Sequence, residues 1–181
     1  MANTFNPEFE FTEKQAECWQ YLTDDITREI WYGGAAWWWK SWIGTCWVWV
    51  MANSYPRSRW FLGRRELSNL MKTTVNTYYK LWQDYEIPKK FMGHLDKKYN
   101  IIRFDNGSEI LLLDCATQPA DPLFTRFGSL ELTWGFIDEA NEVDAKGIEM
   151  LKTRIWRQNT FTKNWQTIKK HPKFLECFNP N

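Results

Sequence analysis

Two short stretches of this chain carry residue types that could move a phosphoryl group. The first reads Gly33-Gly34-Ala35-Ala36-Trp37-Trp38-Trp39-Lys40-Ser41. Counted from Gly34, Lys40 and Ser41 fall at the last two positions of the spacing GxxxxGK[ST], with Trp39 where the final glycine belongs. In that spacing a strand ends and a glycine-rich turn wraps phosphate oxygens with backbone N–H groups. A helix then starts at the lysine and serine. Gly33 and Gly34 would open the turn, Lys40 would meet the β- and γ-phosphates, and the Ser41 hydroxyl would meet Mg²⁺. The second stretch, Leu132-Thr133-Trp134-Gly135-Phe136-Ile137-Asp138-Glu139-Ala140, is an apolar strand ending in two consecutive carboxylates. In a parallel sheet that carboxyl end is where ligands bind. Asp138 is expected to hold the Mg²⁺ with its water shell, and Glu139 to polarise an attacking water.

The elements that must position these groups follow from periodicity and punctuation. Thr12-Glu13-Lys14-Gln15 starts a helix running to about residue 22, with Thr12 as N-cap and Gln15 in the capping-box position. Residues 29–32 form a short strand feeding Gly33-Gly34, and 40–52 a helix with Ile43, Trp47 and Val50 on one face. A strand over 58–62 ends at Gly63-Arg64-Arg65, and one long helix covers 66–83. Residues 100–104 and 109–113, joined around Asp105-Asn106-Gly107, make a β-hairpin. Residues 121–128 are loop or short helix, 132–137 a buried strand, and 145–155 a helix with Ile148, Leu151 and Ile155 inward. A last strand over 173–177 ends at Phe178-Asn179-Pro180-Asn181. Strands alternating with helices predict an α/β fold, P-loop NTPase-like, whose mainly parallel sheet is flanked by helices and carries one β-hairpin insertion.

Composition narrows the classes. With 181 residues a single domain is expected. Lys and Arg number 23 against 22 Asp and Glu, so no overall basic footprint announces nucleic acid, and a local basic face stays open. Four separated cysteines without a CxxC pair and two histidines without neighbours at metal spacing read as reduced thiols and no zinc. Residues 1–11 lack the basic and apolar regions of a signal peptide. Residues 30–52 are long and apolar enough to mimic a membrane span. Their central tryptophans, central Lys40 and early Gly33-Gly34 argue against one. Seven of the 13 tryptophans (31, 37, 38, 39, 42, 47 and 49) crowd one window. Three in a row satisfy neither a helical nor a strand period, and read as replacing an earlier glycine run.

Taken in order, several of these segments resemble the large terminase subunit of tailed bacteriophages, over essentially the whole chain. They are Gln15, the GGxxxxxKS loop, Phe61-Leu62-Gly63-Arg64-Arg65, Trp134-Gly135-Phe136-Ile137-Asp138-Glu139-Ala140-Asn141 and Phe178-Asn179-Pro180-Asn181. The resemblance implies an ATPase half that drives viral double-stranded DNA into procapsids, followed by a nuclease half. Residues 1–181 would then be a fragment of the ATPase domain without the nuclease, and no DNA cleavage is expected of them. ATP and Mg²⁺ are the implied cofactors. Double-stranded DNA, the small terminase subunit and the portal protein are the implied partners of a homo-oligomeric ring. That ring would work in the host cytoplasm, transiently at the portal vertex, without a membrane. Gln15 resembles the adenine-side glutamine, beside its plainer role as a cap. Lys40, Ser41, Asp138 and Glu139 match the phosphate, metal and water-activating positions, and Asn179 lies in what resembles the coupling motif that senses the γ-phosphate. An arginine must also neutralise transition-state charge. Arg126 is the first candidate, as a finger toward a neighbouring subunit, and Arg64 the second, with a solvated surface role as the alternative for each. Arg154 and Arg157, at a helix end, read as structural first and DNA-facing second.

One departure from that family matters most. Trp37, Trp38 and Trp39 stand where it has glycines, and a phosphate loop needs positive φ and bare backbone. Losing several charge-assisted hydrogen bonds, each about 1.5–3 kcal/mol, predicts weak ATP binding or none unless a ring points outward. Two alternatives keep the fold: a non-catalytic assembly module and a helicase-like P-loop ATPase. A third uses the tryptophans, with Lys40, Arg57 and Arg59, as a stacking platform for single-stranded nucleic acid.

Overall fold

The computed structural model describes residues 8–34, 37–163 and 166–179. In chain order it contains α1 (Glu13–Thr23), β1 (Glu29–Gly33), α2 (Trp37–Ser54), β2 (Arg59–Arg64), α3 (Leu67–Lys72) and α4 (Thr74–Asp84). There follow β3 (His94–Asp96), β4 (Ile101–Arg103), β5 (Glu109–Asp114), β6 (Trp134–Ile137), α5 (Ala145–Lys152), β7 (Thr160–Lys163), β8 (Gln166–Lys169) and β9 (Phe174–Phe178). One-turn 3-10 segments lie at Lys89–Phe91, Thr125–Phe127 and Ala140–Glu142.

Seven strands form one sheet in the order β1-β9-β6-β2-β5-β4-β3. Pairing is parallel from β1 through β5 and antiparallel across β5-β4-β3. The expected mainly parallel sheet with a hairpin insertion is therefore what forms. β3 and a separate β7–β8 ribbon are additions that periodicity did not signal. The order has one consequence for chemistry. β9, last in the chain, lies between β1 and β6, so the residue leaving its carboxyl end emerges between the two motifs.

Helices cover both faces. On one, α1, α2 and α4 bury Leu22, Ile43, Trp47, Val48, Tyr78 and Leu81. On the other, α5 and the loop before β6 bury Phe124, Phe127, Ile148 and Leu151. β6 is buried at every residue, as a central parallel strand requires. Its Gly135 lies hard against Phe61, and a Cβ there would overlap the phenyl ring. Trp47, Trp60 and Trp134 form one aromatic nucleus, with Trp47 parallel to Trp134 at 5.8 Å and Trp60 edge-on to Trp134 at 4.9 Å. Several of the 13 tryptophans are thus ordinary core.

Three expectations need correction. The helix expected over 66–83 breaks at Thr73 (φ −113, ψ −72) into α3 and α4. The side chains of Thr73 and Thr74 bond Arg64 and Asp138, and those bonds hold the break in place. The helix expected to start at Lys40 starts at Trp37, so the tryptophans are the first turn of α2 and not part of a loop. Glycine is about 1 kcal/mol less favourable than alanine in a helix and tryptophan distinctly better than glycine, which favours this early start. Ala35 and Ala36, and the side chains of Trp37 and Trp38, lie outside the described residues. The helix expected over 145–155 stops at Lys152, although Ile155 is still buried. No helix among the described residues is long and apolar enough to cross a membrane. All four cysteines are buried free thiols.

Candidate nucleotide site

Lys40 sits one turn into α2, only 3% exposed, and its ammonium is fully engaged. Its Nζ donates to the Gly34 carbonyl at 2.8 Å, to the Phe178 carbonyl at 2.9 Å and to the Asn179 Oδ1. Those partners come from the end of β1 and the end of β9, whose parallel pairing brings both carboxyl ends together. Ser41, the next residue, donates its hydroxyl to Asp138 Oδ2 at 2.8 Å. Thr74, at the head of α4, donates to the same oxygen at 2.6 Å. Asp138 is 2% exposed and its N–H bonds the Gly63 carbonyl at 2.9 Å, extending the β6–β2 ladder by one rung.

Glu139 leaves that ladder. Its φ of +51 lies in the left-handed region, uncommon for a residue with a side chain, and turns the carboxylate toward β9. There Asn179 Nδ2 donates to both carboxylate oxygens, at 3.0 and 2.8 Å. Asn179 therefore bridges Lys40 through its amide oxygen and Glu139 through its amide nitrogen. Burial pushes the Glu139 carboxyl above its ordinary range, and the neighbouring Asp138 charge adds to that, while Arg64 and Lys40 oppose it.

The remaining candidates divide. Gln15 is fully buried: its Oε1 accepts from Thr12 N at 2.8 Å, completing the capping box, and its Nε2 donates to the Trp39 carbonyl at 3.4 Å. Its capping role is realised, and the same side chain also ties α1 to the head of α2. Arg64, ending β2, donates to Thr73 Oγ1 at 2.7 Å and lies 3.8 Å from the Glu142 carboxylate. Arg126 is clamped within its own loop. It pairs with Asp121 at 2.9 Å, donates to the Ala116 carbonyl at 2.6 Å, and covers the Phe124 and Phe127 rings. The site thus gathers Gly34, Lys40, Ser41, Asp138, Glu139 and Asn179, with Arg64 at its margin. Arg126 spends its guanidinium elsewhere. Thr74 was not foreseen, because a β-branched hydroxyl inside a helical pattern carries no sign of a buried carboxylate partner.

Asp138 and Ser41 supply hard oxygen donors side by side. Mg²⁺ is usually held by one or two carboxylates plus phosphate oxygens and waters, so this donor set fits it. No group of three or more His, Cys, Asp or Glu among the described residues could hold a metal alone. Trp39 is 50% exposed and forms a wall between two cavities. The one reaching Lys40, past Thr12, Tyr32 and Gly34, measures about 270 Å³. That is below the range of about 300–1,000 Å³ usual for ligand pockets. The other, about 1070 Å³, is lined by Phe11, Trp42 and Tyr85 but also by Glu8, Glu10 and Asp84, which disfavours phosphate there.

No protein-family description and no curated protein sequence matches this chain. Among solved structures, it is similar to the large terminase of a thermophilic bacteriophage. One crystal form superposes with a TM-score of 0.65 at 11% identity, over 95% of this chain and 40% of that one. The complex with ADP gives 0.66 at 12% identity, over 94% and 39%. The complex with ATP-γ-S gives 0.60 at 13% identity, over 94% and 38%. The chain therefore has the fold of those large terminase structures and spans about two fifths of their length.

Proposed function

We propose that this chain is an ATP-hydrolysing motor domain for packaging viral double-stranded DNA into procapsids, with nucleotide binding weakened by Trp37, Trp38 and Trp39. The observation that carries the reading is Asn179, which joins the lysine of one motif to the glutamate of the other. The terminase fold, seen elsewhere with ADP and ATP-γ-S, supports the choice of nucleotide. In the resting arrangement Lys40 is satisfied by neutral acceptors. An arriving phosphate offers it charge-assisted hydrogen bonds roughly twice as strong, and so draws it away from Asn179. Asn179 then loses the partner that orients its amide, and its hold on Glu139 changes with it. Ser41 and Asp138 would hold Mg²⁺, which supplies charge neutralisation at the β- and γ-oxygens. Glu139, with its raised proton affinity, is placed to accept a proton from water. Of the two arginines, Arg64 is the better placed to offset developing charge, since its field already reaches Glu139. Arg126 would first have to leave Asp121 to serve a neighbouring subunit.

The small terminase subunit, the portal, a homo-oligomeric ring and the host cytoplasm belong to this proposal as its setting. A second reading, a P-loop-fold assembly module without turnover, is favoured by the narrow cavity beside Trp39. Competition binding of a fluorescent ATP analogue tests the first. Lys40→Ala should weaken it at least about tenfold, the loss of roughly one charge-assisted hydrogen bond. Unchanged affinity would remove Lys40 from the site and the reading with it.

A further inference from the structure

The charges of this nearly neutral chain are strongly segregated. Seven of its 23 cations and none of its 22 acids fall between residues 150 and 175, so that segment carries +7 and the rest −6. The structure spends several of these charges internally: Lys152 on Glu29 and Glu176, Lys170 on Asp25, Lys173 on Asp24. Arg157 and Lys169 are exposed and make no ion pair among the described residues.

The fold brings two more arginines to them. The Arg28 guanidinium lies over the Trp156 ring, 5.5 Å from its centroid, and Trp156 is itself 58% exposed. The Arg57 carbonyl accepts from Gln158 Nε2 at 2.8 Å, which ties the backbone before β2 to the residue after Arg157. Lys169 pairs across the β7–β8 ribbon with Thr160, a few residues from Arg157. Arg28, Arg57, Trp156, Arg157 and Lys169 thus line the amino ends of β1, β2 and β9. That is the end of the sheet opposite Lys40 and Glu139. Four exposed acids share it, Asp25 and Glu29 (held by Lys170 and Lys152), Asp105 and Glu131.

We infer that this basic end, framed by the β7–β8 ribbon, is a contact surface for the phosphate backbone of double-stranded DNA. The partner rests on the motor reading above. The surface rests on charge complementarity: guanidinium groups beside a two-stranded ribbon and the Lys169 ammonium on it, without an ion pair among the described residues, suit a polyphosphate, and two-stranded ribbons fit duplex grooves. An aromatic ring under an arginine fixes that cation without neutralising it.

The test is binding of a short fluorescein-labelled DNA duplex to the full chain, followed by anisotropy between about 50 and 200 mM salt. Combining Arg28→Gln, Arg157→Gln and Lys169→Gln should lower the log–log salt slope by about 2–3, near 0.9 for each phosphate no longer neutralised. Affinity at the lower salt should fall at least about tenfold, with nucleotide binding unchanged. Returning position 157 as Arg157→Lys should restore about one unit of slope. The control combines Lys89→Gln, Lys90→Gln and Lys98→Gln, exposed cations elsewhere, and should leave the slope nearly intact. A loss confined to the control variant overturns the surface. So does tighter binding of a single strand or of polyglutamate than of the duplex. Duplex binding through this face, with no nucleotide binding even after Trp37→Gly, Trp38→Gly and Trp39→Gly, would uphold the surface and sink the motor reading. Nucleotide binding with no response to duplex would do the reverse.

Discussion

Asn179 has two different hydrogen-bonding ends, and both are used. Asn179→Ala should therefore separate binding from turnover. On a chain with glycines at 37, 38 and 39, ATP affinity should change by less than about threefold while hydrolysis falls about 10- to 100-fold, as when a group acts mainly in the transition state. Equal losses in both would make Asn179 a mere binding contact. Thr74 is the second residue with a defined duty. Thr74→Val takes one donor from a buried carboxylate and should cost about 1–2 kcal/mol in urea unfolding. No change would mean that Ser41 alone suffices for Asp138. Glu139 makes a signed pH prediction. Its folded proton affinity exceeds the unfolded one, so its contribution to stability declines as pH rises from 4.5 through the raised value. Stability measured across that window should fall with pH, and Glu139→Gln should flatten the slope. A slope unaffected by the substitution would leave Glu139 without its raised affinity.

At the scale of elements, strand tips set the site and strand packing holds the tips. Gly135→Ala drives a methyl into Phe61 beside the carboxylate strand and should destabilise by about 1–3 kcal/mol, the usual cost of overpacking. Chemical denaturation would check it, and a neutral result would mean that β6 and β2 can separate. At the far end of β9, Lys173 donates to the Tyr21 and Thr27 carbonyls and to Asp24, docking the turn between α1 and β1. Lys173→Met should cost about 2–3 kcal/mol, below the full figure for a buried pair because Asp24 is partly exposed. Much of this level was legible in the sequence. The placement of Lys40-Ser41 and Asp138-Glu139 after the ends of β1 and β6 was readable because each pair follows a short apolar strand at a recognisable spacing. The Thr73 break was not, since a helical apolar pattern continues across it and only contacts with Arg64 and Asp138 reveal it. The β7–β8 ribbon was equally hidden: Thr-Phe-Thr-Lys and Gln-Thr-Ile-Lys each offer one apolar residue, too few to signal a strand.

The described residues form two chemically distinct ends joined by one mainly parallel sheet. Asn179 follows β9 at the end that holds Lys40 and Glu139, while Phe174 N bonds the Arg28 carbonyl at the basic end. Five residues of β9 separate them, about 17 Å of strand. Near-zero net charge concealed this polarity, because summing over the chain cancels +7 against −6. The helical placement of the tryptophans was concealed for another reason: a glycine-spaced motif is read as a loop, and the tryptophans standing at those positions favour helix over glycine.

The central claim is that a nucleotide site lies between Lys40 and Glu139 and is obstructed at Trp37, Trp38 and Trp39. Calorimetric titration of Mg·ATP tests it most directly, on this chain, on one combining Trp37→Gly, Trp38→Gly and Trp39→Gly, and on that chain with Lys40→Ala added. The expected result is affinity at least about tenfold tighter with the glycines, abolished again by Lys40→Ala. Equal affinity with and without the tryptophans, or binding indifferent to Lys40, would contradict it.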